Sequence, residues 1–238
     1  MRLRFASLAV AIGLAACSTA PIVETASFPS VARHECLSTA EAYRTHQWTG
    51  SGANLMHGAD SKGIQVDTPD STFQKPGAIP GWWRTGEVNE GVPYQWGGFS
   101  TLAQFDAGLR AGKAAGDVYT SEKRRLLDDA VSSDAVGIDC SGFISRCWKL
   151  PRSYSTRELA GLCFELKSWD DLQPGDILNT FNAHCLLFAG WEDAGRKRII
   201  AYETGSPPHW KVVANTIDTK WLRGLGYKPF RYRNMRDG

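Results

Sequence analysis

The feature of this chain that is best suited to nucleophilic chemistry is one cysteine at the start of a short helix with one apolar face. Residues 137–148 read GIDCSGFISRCW, and the apolar side chains that follow Cys140 at helical spacing are Phe143, Ile144 and Cys147. Asp139 is placed to cap this helix, and Pro151 ends it. The unpaired N–H groups and the positive dipole of the first helical turn stabilise a thiolate. The pattern therefore predicts that Cys140 is a nucleophile, whereas a lone cysteine would more often be structural.

A thiol nucleophile needs a base, and a histidine downstream begins an apolar strand. His184 opens the segment AHCLLFAG, and strand alternation places it on one face with Leu186 and Phe188. An imidazole at this position can take the proton of Cys140 and later protonate a leaving amine. We expect His184 to be the general base and acid.

The next predicted strand offers two candidates for a third residue that orients the imidazole. Tyr202 and Glu203 are neighbours in the segment IIAYET, so alternation lets only one of them reach His184. A carboxylate stabilises an imidazolium better than a phenol does, which favours Glu203. Tyr202 remains the alternative.

The order of the predicted elements indicates an α+β fold, because helices precede a run of antiparallel strands. Helical patterns cover residues 35–48, 101–115 and 121–133. On the last helix the side chains expected to face inward are Leu126, Leu127, Ala130 and Val131. The strand patterns cover residues 176–179, 183–191, 198–204, 210–215 and 229–233. Residues 35–93 are rich in Gly, Pro, Asp and Ser after the first helix, and we expect them to wrap the main domain. Trp82 and Trp83 either line a groove there or pack internally.

Five motifs occur in the order that is typical of the NlpC-type cell-wall cysteine peptidases, papain-like enzymes that cut the peptide stems of peptidoglycan. The motifs that resemble this family are YQWGG at 94–98, DCSGF at 139–143, LPRS at 150–153, LQPGD at 172–176 and HCLLFAG at 184–190. The resemblance extends over most of residues 92–215. Two features depart from the family pattern. The stretch between Gly98 and Asp139 is long, and Cys185 replaces a small apolar residue.

This resemblance implies a papain-like domain over residues 94–238, in which the nucleophile helix packs on an antiparallel sheet or small barrel. It implies that Cys140, His184 and a polar residue on the following strand are catalytic, and that no cofactor or metal is needed. Tyr94, Asp139 and Ser141 match positions where the family binds the free amino end of its substrate. The helical insertion at 99–136 is expected to shape or cover the cleft.

The first residues are typical of an export signal. Arg2 and Arg4 precede an apolar run that is too short to span a bilayer, and residues 14–17 (LAAC) resemble the lipobox of bacterial lipoproteins. This predicts a signal peptide at 1–16, an acylated Cys17 and a tether at 17–34, on the periplasmic face of the outer membrane. Simple secretion after residues 18–20 (STA) is the alternative, although Pro21 would then follow the cleavage site.

Composition and charge limit the kinds of partner and bound group that we expect for this chain. Removal of residues 1–16 takes away two arginines and no acidic residue, so 27 basic and 25 acidic residues become 25 of each. No basic cluster with interleaved aromatics is present, and we expect no nucleic-acid partner, no metal site and a monomer. An odd number of cysteines after Cys17 leaves at least one free thiol, and pairing stays open for Cys36, Cys147, Cys163 and Cys185.

Together these features predict a lipid-anchored hydrolase that cleaves an amide bond in peptidoglycan stem peptides through a Cys140 acyl-enzyme. Two alternatives remain open. One is an acyl or amide transferase acting on another envelope substrate, and the other is a catalytically silent envelope scaffold.

Overall fold

The computed structural model describes residues 28–74, 80–205 and 210–237. The predicted signal peptide, Cys17 and most of the predicted tether lie outside these ranges. Within them, no helix is both long and apolar enough to cross a membrane. Val31 and Ala32 are buried, so the folded region begins before the end of the tether predicted at residue 34.

Helices and strands alternate irregularly in the first half of the described chain, and strands dominate the second half. The helices are α1 (Arg33–Thr45), α2 (Leu102–Arg110), α3 (Ser121–Leu126), α4 (Cys140–Cys147) and α5 (Thr219–Gly224). The strands are β1 (Val31–Ala32), β2 (Gln47–Thr49), β3 (His57–Ala59), β4 (Gln65–Asp67), β5 (Val88–Glu90), β6 (Ala114–Ala115), β7 (Ala135–Val136), β8 (Cys163–Glu165), β9 (Ile177–Asn179), β10 (Cys185–Trp191), β11 (Arg198–Glu203), β12 (Val213–Asp218), β13 (Lys228–Tyr232) and β14 (Met235–Arg236). Short 3-10 helices cover Gly52–Asn54, Leu127–Ala130, Leu159–Leu162 and Trp169–Asp171.

A six-stranded antiparallel sheet in the order β12-β11-β10-β9-β13-β8 forms the centre of the molecule. Strands β9 to β12 follow one another as a meander, because each connection is short enough for neighbours in sequence to pair. The predicted α+β class with an antiparallel sheet is therefore confirmed.

Both faces of this sheet are covered, and the alternating side chains separate into two clusters. On one face, Cys185 and Leu187 of β10 pack against α4, whose other neighbour is α1. On the opposite face the buried apolar residues are Leu178, Leu186, Phe188, Ile199, Ala201 and Leu222. A two-residue period along β10 and β11 thus places α4 against one set of side chains only.

Residues 35–93 contribute to the same core as α4 rather than to a core of their own. Trp48, Trp83 and Val92 belong to the cluster that contains Phe143. The ring of Trp83 is fully buried, and its centroid lies 5.4 Å from that of Trp48. The packing alternative for Trp82 and Trp83 is the one observed, since neither lines the cleft described below.

Three predicted helices are shorter than their patterns suggested. The helix predicted at 35–48 is α1, which ends at Thr45, so that Trp48 lies in β2. The helix predicted at 101–115 ends at Arg110, where Gly112 adopts a φ of +76° and the chain turns into β6. Pairing with strands that are distant in sequence sets these boundaries. The helical period of the sequence contains no information about such pairing.

The helix predicted at 121–133 differs most. α3 ends at Leu126, and Leu127 takes a φ of 54° as the chain enters a 3-10 turn. Leu126 is 38% exposed, whereas Lys123 is buried in an ion pair with Asp117. The prediction that Leu126 faces inward is therefore wrong, because the buried ion pair turns another face of the helix toward the protein. Leu127 and Val131 are half-buried, and Ala130 is buried as predicted.

The strand boundaries also shift. The strand predicted at 183–191 begins at Cys185, because Thr180 holds Ala183 and His184 in a turn. The strand predicted at 210–215 is β12, which begins at Val213 and extends to Asp218 along β11. Strand β8 and helix α5 are not anticipated by the sequence patterns.

Candidate active site

Helix α4 presents Cys140 at its first turn. The Oδ1 atom of Asp139 accepts hydrogen bonds from the backbone N–H of Gly142, at 2.5 Å, and from the hydroxyl of Ser141, at 3.0 Å. A β-carbon on Gly142 would lie 2.2 Å from the carbonyl oxygen of Gly98, so only glycine permits the helix to approach this loop. The YQWGG and DCSGF motifs therefore meet at the start of α4.

The structure brings Cys140, His184 and Glu203 together. The Nε2 atom of His184 lies 2.9 Å from Oε2 of Glu203, and its ring also hydrogen-bonds with Cys140. This is the order of contacts that a thiol, a base and an orienting carboxylate require.

Strand parity separates the two candidates for the third position. Tyr202 lies opposite Leu187 in the β10–β11 register and packs on the face covered by α1. Its hydroxyl donates a hydrogen bond to Oε2 of Glu41, at 2.9 Å. Glu203 falls on the other face and is buried against His184, so the geometry assigns the contact to Glu203.

Two supporting residues were missed by the sequence reasoning. The side-chain amide of Asn215 donates a hydrogen bond to Oε1 of Glu203, at 2.6 Å. Asn215 pairs with Ala201, so it is the diagonal cross-strand neighbour of Glu203. Thr180 holds the backbone of His184 from the other side, since its Oγ1 accepts a bond from the His184 N–H at 3.1 Å. The only sequence signal for Asn215 is that it is a polar residue at an alternate position of β12, on the same face of the sheet as Glu203.

Cys140 and His184 shift each other's pKa in opposite directions. A hydrogen bond from the Cys185 thiol, together with the charge of His184, holds the pKa of Cys140 well below its usual value, although burial acts the other way. Burial alone would lower the pKa of His184, but the Cys140 thiolate and the Glu203 carboxylate raise it to about 10. Both shifts favour a thiolate beside an imidazolium, which is the reactive charge state of a cysteine nucleophile.

The residue that departs from the family pattern, Cys185, thus takes part in the site. Burial and the adjacent Cys140 raise the pKa of the Cys185 thiol, so it stays protonated and can donate. All five cysteines in the described ranges are free thiols. Cys36 of α1 and Cys147 at the end of α4 are also hydrogen-bonded to each other. Among the described residues, no group of His, Cys, Asp or Glu side chains is placed to hold a metal ion.

The three predicted substrate-binding residues surround a cleft of about 350 Å³ that contains Cys140 and His184. Tyr94 is buried at its edge, and its ring centroid lies 5.7 Å from that of Trp210. Burial and the neighbouring Cys140 charge raise the pKa of Asp139 to about 7. Tyr94, Asp139 and Ser141 therefore all reach the cleft, although Asp139 and Tyr94 also serve as helix cap and packing residue.

The insertion at 99–136 forms one wall of this cleft, which we call the insertion wall. Its lining residues are Tyr119, Arg124, Leu127, Asp128 and Val131. The indole N–H of Trp96 donates to the Leu127 carbonyl at 3.0 Å, and the Trp96 and Tyr119 rings meet edge to face. The insertion therefore shapes the cleft beside the nucleophile, a role that its helical pattern alone did not determine.

A scan against protein-family models finds no match for this chain, and searches of curated proteins and of solved structures find none either. The functional interpretation rests on the geometry of this site and on the five sequence motifs.

Proposed function

We propose that this protein is a cysteine hydrolase with a papain-like fold, which cleaves an amide bond in peptidoglycan stem peptides through a Cys140 acyl-enzyme. The observation that carries the proposal is the hydrogen-bonded series Cys140, His184 and Glu203, in which Cys140 and His184 line one cleft and Glu203 is buried behind the imidazole. A buried carboxylate held by Asn215 and a thiol with a lowered pKa are costly arrangements, and such perturbed groups cluster at functional sites.

In the proposed reaction, the Cys140 thiolate attacks the carbonyl carbon of the scissile amide. Negative charge develops on the carbonyl oxygen near the first turn of α4, where N–H groups and the helix dipole stabilise it. The His184 imidazolium gives its proton to the leaving amine as the C–N bond breaks. Neutral His184 then accepts a proton from water, the water oxygen adds to the acyl carbon, and the thiolate leaves. Glu203 stabilises the imidazolium whenever it forms.

Lipidation at Cys17 would place this cleft at a membrane outside the cytoplasm, where peptidoglycan is the substrate within reach. The LAAC motif supports an anchor on the periplasmic face of the outer membrane, and we propose that the chain acts there as a monomer.

The experiment is mass spectrometry of purified peptidoglycan fragments after incubation with the mature chain. We expect a new pair of peptide products whose summed mass exceeds the substrate by one water, and no products from Cys140→Ala. Cys163→Ala is the matched control, since this cysteine is buried in β8, away from the cleft. Products that carry an added amine instead of water would indicate a transferase. Intact fragments together with an inert Cys140 thiol would indicate a scaffold.

A further inference from the structure

Two arginines line the cleft without an ion-pair partner among the described residues. Arg124 comes from the insertion wall and Arg157 from the loop after α4. Their neighbours are paired: Arg125 contacts Glu122, and Arg152 lies 2.8 Å from Glu158. Unpaired guanidinium groups in a concave site are available for a ligand, because the protein does not already satisfy their charge.

The position of Arg124 is determined by its neighbour in α3. Lys123 is buried, and its Nζ lies 2.6 Å from Oδ2 of the buried Asp117. The backbone N–H of Lys123 also donates to the hydroxyl of Thr120, which caps the helix, at 3.1 Å. With Lys123 held inside the protein, the adjacent residue is held at the cleft surface. Arg124 therefore sits on an anchored helix rather than on a mobile loop.

Other charges in the cleft do not neutralise this arginine. Asp139 is engaged by Ser141 and Gly142 at the start of α4. Asp128 also lines the cleft, in the 3-10 turn after α3, but it is exposed and forms no ion pair in the described part of the chain. The Cys140 thiolate has His184 as its counter-charge. The cleft therefore presents to a ligand two guanidinium groups that no ion pair among the described residues neutralises, on the same lining as the reactive sulfur.

We propose that Arg124, together with Arg157, binds a carboxylate of the substrate close to the scissile bond, so that the preferred substrate is an acidic peptide. This inference rests on the proposed function and deepens it. A guanidinium presents a planar pair of donors that matches the two oxygens of a carboxylate. The insertion wall is thus a specificity element, and Arg124 is its main contact.

The first test does not depend on peptidase activity. Iodoacetate and iodoacetamide alkylate the same thiolate, but only iodoacetate is an anion. Arg124→Gln should lower the ratio of their rate constants at Cys140 by about 2- to 5-fold, as expected for one partly exposed charge interaction. The matched control is Arg125→Gln, on the same helix but outside the cleft, which should leave the ratio unchanged. An unchanged ratio in Arg124→Gln would overturn the proposal.

The second test uses synthetic stem peptides with free carboxylates and the same peptides with carboxamides. The wild-type chain should prefer the carboxylate form. Arg124→Gln should lower kcat/KM for that form by about 10- to 100-fold, mainly through KM, as expected for the loss of a hydrogen bond to a charged group. The carboxamide form should be affected little, and Arg124→Lys should restore part of the preference. Equal cleavage of both forms by wild type and Arg124→Gln would overturn the inference while the proposed function stood. Failure to cleave either form, with the alkylation ratio still dependent on Arg124, would overturn only the proposed function.

Discussion

Two neighbours act on the sulfur of Cys140, and they do so by different chemistry. His184 supplies a full positive charge, whereas Cys185 supplies a weak thiol donor from the strand beneath. Both lower the pKa of Cys140. The apolar residue expected at position 185 would supply only the packing.

Replacement of Cys185 therefore tests how the thiolate is stabilised. In Cys185→Ala the pKa of Cys140 should rise, because the thiolate loses a donor, and alkylation at mildly acidic pH should slow by about 2- to 10-fold, the effect of one hydrogen bond. Cys185→Ser keeps a donor and should change the rate less. The measurement is the pH dependence of iodoacetamide labelling with peptide mapping. Preferential labelling of another cysteine in the wild-type chain would contradict the assignment of Cys140.

Glu203 is expected to affect both rate and pH dependence. Glu203→Gln keeps the shape of the side chain but removes the charge that raises the pKa of His184, so the imidazolium should lose its proton at lower pH. The alkaline limb of kcat/KM should move to lower pH, and turnover should fall by as much as about 10⁴-fold, the loss seen when an orienting carboxylate is removed from other triads. Tyr202→Phe removes only the contact with Glu41 and should be mild. The reverse ranking of the two variants would assign the role to Tyr202.

At the scale of single elements, α3 is held by an ion pair rather than by an apolar stripe. Asp117 is fully buried, and burial raises its pKa to about 7 even though Lys123 lies beside it. The helix therefore depends on one charged contact for its orientation, and that contact also determines where the insertion wall lies.

Lys123→Met should destabilise the protein by about 1–2 kcal/mol at pH 8, because the buried Asp117 carboxyl must then take up a proton at a pH above its wild-type pKa of about 7. The loss should be smaller at pH 5. Asp117 destabilises the folded state increasingly as pH rises from its unfolded pKa of 3.8 to its folded pKa of about 7. At pH 5 the folded carboxyl is protonated with or without Lys123, so removal of Lys123 costs little there. Urea unfolding at the two pH values measures this difference, and Asp117→Asn combined with Lys123→Met should recover much of the loss. Equal destabilisation at pH 5 and pH 8 would mean that packing, not charge, holds α3.

At the scale of the whole molecule, the residues before position 94 complete the core on which α4 rests. Tyr43 of α1 meets Phe143 edge to face, with ring centroids 6.0 Å apart. The buried apolar residues that this region adds to the same cluster are Val31, Cys36, Ala40, Tyr43, Trp48, Trp83 and Val92. The catalytic half predicted at 94–238 therefore shares one core with the segment expected to wrap it.

A chain that begins at residue 94 should consequently fail to fold cooperatively. Burial of each large apolar side chain is worth about 1.5–3 kcal/mol. Loss of several such contributions exceeds a typical stability of about 5–15 kcal/mol. We expect no sigmoidal thermal transition by near-ultraviolet circular dichroism, whereas residues 28–238 should unfold cooperatively. A cooperative transition in the shorter chain would show that the wrap is dispensable.

Attachment to a membrane is the second expectation at this scale. Cys17→Ser should release the protein from the membrane fraction into the soluble envelope fraction, because the acyl chains on that cysteine are the proposed anchor. Immunoblots of fractionated cells measure the distribution, with Cys163→Ala as the control that should stay bound. Unchanged membrane association of Cys17→Ser would contradict the lipobox interpretation.

The sequence by itself determined the features that depend on residues close to one another in the chain. The N-cap and apolar stripe of α4, the strand that directly follows His184 and the alternation that separates Tyr202 from Glu203 are each encoded within about ten residues, because helical and strand periods act locally. Local patterns, together with the resemblance of five motifs, therefore predicted Cys140, His184 and Glu203, with Tyr202 as the alternative to Glu203.

Only the tertiary structure decided which residues support these three and what forms the cleft. Asn215 reaches Glu203 from another strand, and the Cys185 thiol meets Cys140 because β10 passes beneath α4. The inward face of α3 followed from the buried pairing of Lys123 with Asp117, against the expectation from its leucines. These contacts join residues that are distant in sequence, or they depend on a charge that is removed from water. The hydrophobic period of a sequence carries no information about either kind of contact.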